Sequence, residues 1–553
     1  RDADPGDEFP RILHEFTEGI PLNVVHVLHA FAEAGGIWYG GTRWEWRPLT
    51  GGLIPPGIAF ILERRLQRLS PAARAILTTA AVLGAPFDLE LLLATANVPE
   101  SQVTAALDEG EAAGVVARDA AHEGHFTFTH ALLADAITRD LPERQRQRIH
   151  EVAARLLELR APSSVDAIAG HYHAAGLDTD AYRYALLAAD RAAAGFAHDA
   201  ALASLQVAQR YAPSARNLAE LRVRLATTAF EAGRYSLAET WCDLALEWMG
   251  EGEAPDAALG VRNLRERVRV HRGKPPLRAI EALRTLLVES PGADSGMRAG
   301  VQLAASALAA SVADWHLTAT LARKAIEIGG IRGALAQRAE AHRLMAIGRY
   351  DSAPGEAFAF AREAIADGTA AGDRAVTALA RLTLGELYLR AGHLPHAEES
   401  LGEALDAARG AHAAPLAAGV SRALGELRAR QGNFGEAAQW LGDAERIFTS
   451  LGDTPEQLRT TLASAHAARE HGERDRAHDL YDVAAGSART LDIAWAELTA
   501  IAGAALTNGG PNSPTAQQRW QRANELISSA TPDWWFPGRE LVDAVALQMT
   551  LSA

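Results

Sequence analysis

A small side chain that returns nine times at almost constant spacing limits what this chain can fold into more than any other feature. The clearest copy is Ala397, Leu401 and Ala404 in AGHLPHAEESLGEALDAAR. The pattern recurs as Ala201, Leu205, Ala208; Ala238, Cys242, Ala245; Ala279, Leu283, Leu286; Thr318, Ala322, Ala325; and Ala357, Ala361, Ala364. After residue 404 it continues as Ala437, Leu441, Ala444; Ala477, Tyr481, Ala484; and Ala516, Trp520, Ala523, with successive first positions 37 to 41 residues apart. Offsets of four and seven fall on one face of a helix, so each triplet marks a stripe where a helix meets its neighbours, and small residues there let backbones approach. Gly195, Gly233, Gly392, Gly432 and Gly472 stand five or six residues before an anchor. Glycine ends a helix cheaply because it tolerates positive φ, so the unit reads as helix, tight turn, helix. One such unit cannot bury its apolar face alone. Stacked units share a core and leave a concave surface lined by the first helix of each pair.

The pattern resembles the tetratricopeptide repeat of about 34 residues, stretched here by longer helices or linkers, over roughly residues 180–530. A chain of 553 residues exceeds what one hydrophobic core can organise. A composition rich in Ala, Leu, Arg and Glu and only 6% aromatic favours helix. The expected fold is all-α. A formal net charge of -15, with no basic block, speaks against direct DNA binding. The single cysteine, Cys242, excludes internal disulfides and suits a cytoplasmic setting. No apolar run is long enough to span a membrane. The opening at Arg1, with an acidic lead containing Pro and Gly, points to a fragment or processed product of something larger.

Residues 56–160 read differently. PGIAFILERRLQRLS, PAARAILTTAAVLG, FDLELLLATAN and PESQVTAALDEGEAAG read as four helices bounded by Ser70, Pro71, Pro99 and Gly114. Val115–Arg118 and His125–Thr129 then flank a polar turn, a hairpin signal. Helices followed by a two-stranded wing make a winged-helix unit. The helix before the wing, Ser101–Ala113, carries Asp108, Glu109 and Glu111 and no Lys or Arg, so it would repel phosphate. Upstream, Gly19 and Pro21 open an apolar helix, a start that presents free N–H groups to an anion or nucleotide edge or is simply an ordinary helix start.

The order EGIPLNVVHVLHAFAEAGGIWYGGTRWEWR, LERRLQRLSPAARAILTTAAVLGAPFDLELLLATANV and AALDEGEAAGVVARDAAHEGHFTFTHALLADAIT, followed by helical repeats, resembles the downstream half of bacterial STAND-class signalling ATPases. These AAA-related regulators include the maltose-regulon activator and other large LuxR-type transcriptional regulators. The resemblance spans residues 10–160 and, more generically, the repeats. It implies that Gly19 and Pro21 lie near the adenine of a nucleotide held by an upstream domain. It also implies that His130, in Phe128-Thr129-His130-Ala131, reaches the phosphates; the residue equally suits a structural histidine at the start of a helix over Ala131–Thr138. No GxxxxGK[ST] occurs, and neither Lys274 nor Lys324 follows a phosphate loop, so the chain alone is not read as an enzyme and ATP or ADP is implied only for a full-length protein.

His171 and His173, two residues apart on a helix, cannot share a metal ion, and His122 and His125 show no cysteine or carboxylate partner at zinc spacing. Trp534-Trp535-Phe536-Pro537 reads as a cap over the last repeat or a partner site, with capping preferred. The acidic runs read as solvated helix faces. The expected organisation is therefore a lid remnant at 1–55, a winged-helix coupling unit at 56–160 and an α-solenoid at 161–553. The resemblance makes it the sensor arm of a regulator that takes a protein or small-molecule effector in its groove, and implies nucleotide-driven homo-oligomer assembly. The alternative is a constitutive protein-binding scaffold.

Overall fold

The computed structural model describes residues 65–84, 86–119, 122, 124–129, 131–161, 164–195, 197–249, 255–328, 334–508, 514–528 and 536–552, with 24, 28, 37–39 and 44–46. Two compact units divide the chain, Arg1–Ala188 and Ala189–Ala553.

In the first unit a short hairpin pairs β1 (Ile37–Tyr39) with β2 (Trp44–Trp46), which the sequence reading did not anticipate. Helix α1 (Pro71–Leu83) begins with proline at its first position, and the Ser70 hydroxyl accepts from the Ala73 N–H at 3.1 Å. FDLELLLATAN is not one helix, which corrects the expectation. Phe87–Asp88 form strand β3, and α2 (Leu89–Ala96) starts only after Asp88, whose carboxylate caps Glu90 N–H. The reason is packing: Phe87 stacks on Phe126 across the strand pair with ring centroids 6.0 Å apart, burying a large apolar side chain that a helix would have displaced. Helix α3 (Glu100–Ala112) leads into β4 (Val116–Arg118) and β5 (His125–Phe128), followed by α4 (Ala131–Thr138). The strand order is β3-β5-β4, all antiparallel, with Val116 opposite Phe128. Leu77, Leu92, Val103, Val115 and Leu133 fill the core beneath. Helices α5 (Glu143–Arg160), α6 (Val165–Ala174) and α7 (Asp178–Ala194) come next.

The second unit is a stack of antiparallel helices in chain order: α8 (His198–Arg210), α9 (Ala215–Glu231), α10 (Tyr235–Met249), α11 (Pro255–His271), α12 (Pro276–Glu289), α13 (Ser295–Ser311), α14 (Trp315–Glu327), α15 (Leu335–Arg349), α16 (Pro354–Ala370), α17 (Arg374–Arg390), α18 (Leu394–Gly410), α19 (Ala414–Arg430), α20 (Phe434–Leu451), α21 (Thr454–His471), α22 (Arg474–Leu491), α23 (Ala494–Asn508), α24 (Pro514–Ser528) and α25 (Arg539–Ser552). From α9 to α24 the odd-numbered helices open each pair and the even-numbered ones carry the triplets.

Ala397, Leu401 and Ala404 of α18 and Ala437, Leu441 and Ala444 of α20 are buried, whereas Leu286 of α12 is only half-buried. In these two pairs the large middle residue presses on a glycine of the partner helix: a Cβ added to Gly385 or Gly425 would lie 2.6 Å from Leu401 or Leu441. The pairs therefore interlock by a bulky side chain over a bare backbone, the arrangement of a tetratricopeptide-like solenoid. Gly233, Gly392, Gly432 and Gly472 take positive φ at their turns; Gly195 does not, and Ala313 adopts φ 59° at the corresponding turn before α14. At the far end Phe536 is buried with Leu541, Val542 and Val545 against α22 and α23, as a cap requires. Among the described residues no helix is long and apolar enough to cross a membrane.

Candidate binding site on the inner face of the solenoid

Gly19, Pro21 and His130 lie outside the described residues, as do Trp534 and Trp535. Around the wing, the acidic side chains of α3 are partly consumed by packing. Glu109 accepts from the Ser70 backbone N–H (2.5 Å) and hydroxyl (2.9 Å), and Glu111 pairs with Arg118 at 3.4 Å. His122 Nδ1 lies 2.9 Å from the Asp119 carboxylate, a single contact at the wing turn. His171 meets His150 of α5 at 2.9 Å between Nδ1 atoms and not His173. Burial, the second histidine and Arg146 hold His150 down to about 4. Among the described residues no group of three or more His, Cys, Asp or Glu side chains is placed to hold a metal ion. Cys242 is buried within its triplet, and burial together with Asp243 pushes its thiol up to about 12, which suppresses the reactive thiolate.

The first helices face one another across the inside of the solenoid, and charge concentrates there. Arg422 of α19, 4% exposed, donates to Glu386 of α17 at 2.9 Å and to Glu426 at 2.7 Å, with Glu456 of α21 3.6 Å away. Arg459 joins Glu456 (2.9 Å) to Glu386 (3.4 Å). Arg343 of α15 forks onto Glu340 through two 2.7 Å bonds. Burial alone would lower the Arg422 pKa, but Glu426, Glu386 and Glu456 outweigh it and raise it above the ordinary value. Glu456 shows the mirror image: burial pushes its pKa up, and Arg459 and Arg422 prevail and hold it low. Arg267 of α11 rests over the Phe230 ring, 4.5 Å from its centroid, and burial depresses its pKa despite Glu340 and Glu231 nearby. Glu231 itself is raised, by burial and by Asp373 at the start of α17.

The solenoid also touches itself. Asp453, 1% exposed, sits in the turn before α21 and accepts from the Tyr235 hydroxyl at 2.9 Å, 218 residues away in sequence. His271 Nδ1 lies 2.9 Å from the same carboxylate, 182 residues away, and its ring stacks on Tyr235 with centroids 4.5 Å apart. One repeat on, Trp495 Nε1 donates to the Ser311 carbonyl at 2.8 Å, 184 residues away. One repeat back, a Cβ on Gly233 would meet Leu451 at 2.9 Å and Pro415 at 3.3 Å. Three consecutive turns between first and second helices thus abut three consecutive turns in later repeats at nearly fixed register. The ribbon of helices closes edge to edge after about 180 residues.

The sequence reading missed both features. Arg422 and Glu426 were not singled out, since a pair four apart has the spacing of any solvated helix pair. The readable signal was Gly385 and Gly425, each twelve positions before an anchor, which fixes which helix face packs and therefore which face turns inward.

No family model and no curated protein matches the chain. Solved structures similar to it include the signal transduction ATPase with numerous domains (STAND) protein with a tetratricopeptide repeat sensor from Pyrococcus horikoshii, at 13% identity over 95% of this chain and 70% of that one, TM-score 0.39. A Rap protein complexed with Competence and Sporulation Factor shares 12% identity over 62% of this chain and 99% of its own, TM-score 0.41. RapI in its apo form shares 12% over 64% and 99%, TM-score 0.38. The fold assignment rests on the helix packing above.

Proposed function

We propose that this chain is the sensing and coupling part of a STAND-type regulator, whose solenoid takes a protein or peptide effector on its inner face. The observation that carries the reading is the row of half-buried Arg and Glu side chains on α11, α15, α17, α19 and α21 around the fully buried Arg422. Desolvating so many charges is costly, and an apolar face would pack as well or better. Their retention favours recognition of a polar chain whose own charges exchange with these pairs. Within the first unit, the order α1-β3-α2-α3-β4-β5-α4 and the β3-β5-β4 sheet support a winged-helix coupling element. Nucleotide binding is assigned to a module outside this chain, with Gly19, Pro21 and His130 as the residues the resemblance would bring toward it.

Selection of displayed random peptides against the protein tests the effector site. Enriched peptides are expected to lose at least tenfold in affinity, about 1.4 kcal/mol, on Arg343→Ala or Glu386→Ala while far-ultraviolet dichroism stays unchanged. Peptides that bind these variants as well as the parent would remove the inner face from consideration. Titration of the intact regulator with ADP and ATP, with and without His130→Ala, tests the switch; affinity and oligomer size unaffected by the substitution would leave the scaffold reading.

A further inference from the structure

The self-contact of the solenoid has the chemistry of a releasable closure and not of a core. Its centre is one carboxylate, Asp453, shared by a phenol and an imidazole. Its flanks are an indole donating to a main-chain carbonyl and glycines set against side chains, Gly273 against Thr454 and Gly233 against Leu451. Every polar group in it would find water on parting, so opening strands no buried donor or acceptor. The end at α13–α14 is more firmly rooted: Ala313 and Trp315 join the apolar cluster that contains Trp495, Leu458 and Leu462. Parting therefore begins at the Gly233 end, runs through Asp453 and hinges at Trp495.

We propose that this seam is a latch that controls access of a macromolecular effector to the inner face. Closed, it joins opposite edges of the helical ribbon and shields Glu386, Arg422 and Arg459 from lateral approach by another chain. Opened, it exposes the groove along α11 to α21, and a bound effector holds the two edges apart, shifting the population toward the open form. This rests on the inner face being the effector site, but the latch is measurable in the free protein, so the two can fail separately.

The test combines Arg459→Cys, a reporter on the inner face, with the loosened latch Tyr235→Phe/His271→Ala. N-ethylmaleimide is the small probe and a maleimide on a long poly(ethylene glycol) chain is the bulky one. The latch variant is expected to speed labelling by the bulky probe about tenfold, the growth available to a minor conformer of a few per cent, with little change for the small probe. Equal bulky-probe rates in a folded latch variant would overturn the proposal. Should that variant fail to fold, Gly273→Cys/Thr454→Cys gives the converse: the built Cβ of Gly273 lies 3.7 Å from the Thr454 Cβ, within disulfide reach. Oxidation is then expected to slow amide exchange throughout α15, α17 and α19, well away from the cross-link. Identical exchange in the oxidised and reduced forms of those helices would show that the seam never parts and would equally overturn it.

Discussion

Arg422→Met removes the cation on which Glu386, Glu426 and Glu456 converge. Methionine keeps the length and apolar character of the stem, so the loss reports charge more than volume. Breaking a buried ion pair by deleting one partner costs about 3–5 kcal/mol, because the remaining charge stays desolvated. Two details place the expectation near the lower figure. Arg459 still reaches Glu386 and Glu456, and the three carboxylates retain 24–35% exposure. Urea unfolding followed by circular dichroism should therefore show a loss of about 3 kcal/mol at pH 7 with an unchanged slope. The pH dependence carries the sharper test. In the parent, the pKa of Glu456 is lowered from its ordinary 4.5, so its pairing stabilises the fold above that value and the benefit disappears as pH falls through the folded pKa. Without Arg422, burial is opposed only by Arg459 and, more weakly, by His271, and Glu456 takes up its proton at higher pH. The deficit of the variant should accordingly shrink as pH falls toward and below 4.5. Adding Glu386→Gln and Glu426→Gln should restore most of the loss at pH 7. A deficit below about 1 kcal/mol, or one that is flat with pH, would refute the idea that Arg422 is held by desolvated carboxylates.

Gly425→Ala gains helix propensity but drives a methyl into Leu441, and overpacking should win by about 1–2 kcal/mol in thermal unfolding; Leu441→Val in the same chain should recover part of it. His466, hydrogen-bonded to the Tyr481 hydroxyl at 3.0 Å, is held down to about 4 by burial and by Arg469 and Arg430. A histidine depressed in the fold is neutral there while the unfolded chain takes up a proton below its ordinary 6.5, so stability is lost as pH falls from 6.5 toward 4, by up to about 3 kcal/mol. His466→Gln should flatten that part of a stability profile measured by urea titration, and an unchanged profile would remove His466 from the acid response.

The solenoid was legible because its signal is local and repeated: small residues at offsets of four and seven, and turn glycines such as Gly392 and Gly432, report contacts between neighbouring helices. Strand β3 was not, because Phe87 and Asp88 continue smoothly into an apolar helix and only their pairing with β5 separates them from it. Leu286 follows the triplet yet stays half-buried, since spacing fixes a face and not the thickness of what covers it. The seam left no trace: Tyr235, His271 and Asp453 are ordinary residues at turns, and contacts across about 180 residues depend on the accumulated curvature of several repeats. The inner charges were visible as residues but not as a site, because an Arg–Glu pair four apart reads the same on a wet face and a buried one.

Spin labels on Lys274→Cys and Ser450→Cys test the closure of the solenoid most directly, with Cys242 buried and its thiol pushed up to about 12, so that it stays unlabelled. Packed edges about 10 Å apart predict strong dipolar broadening of the continuous-wave spectrum in the free protein, reduced by Tyr235→Phe/His271→Ala. A doubly labelled spectrum equal to the sum of the two single-label spectra would mean that these edges do not meet, and the account of a self-closing solenoid would be wrong.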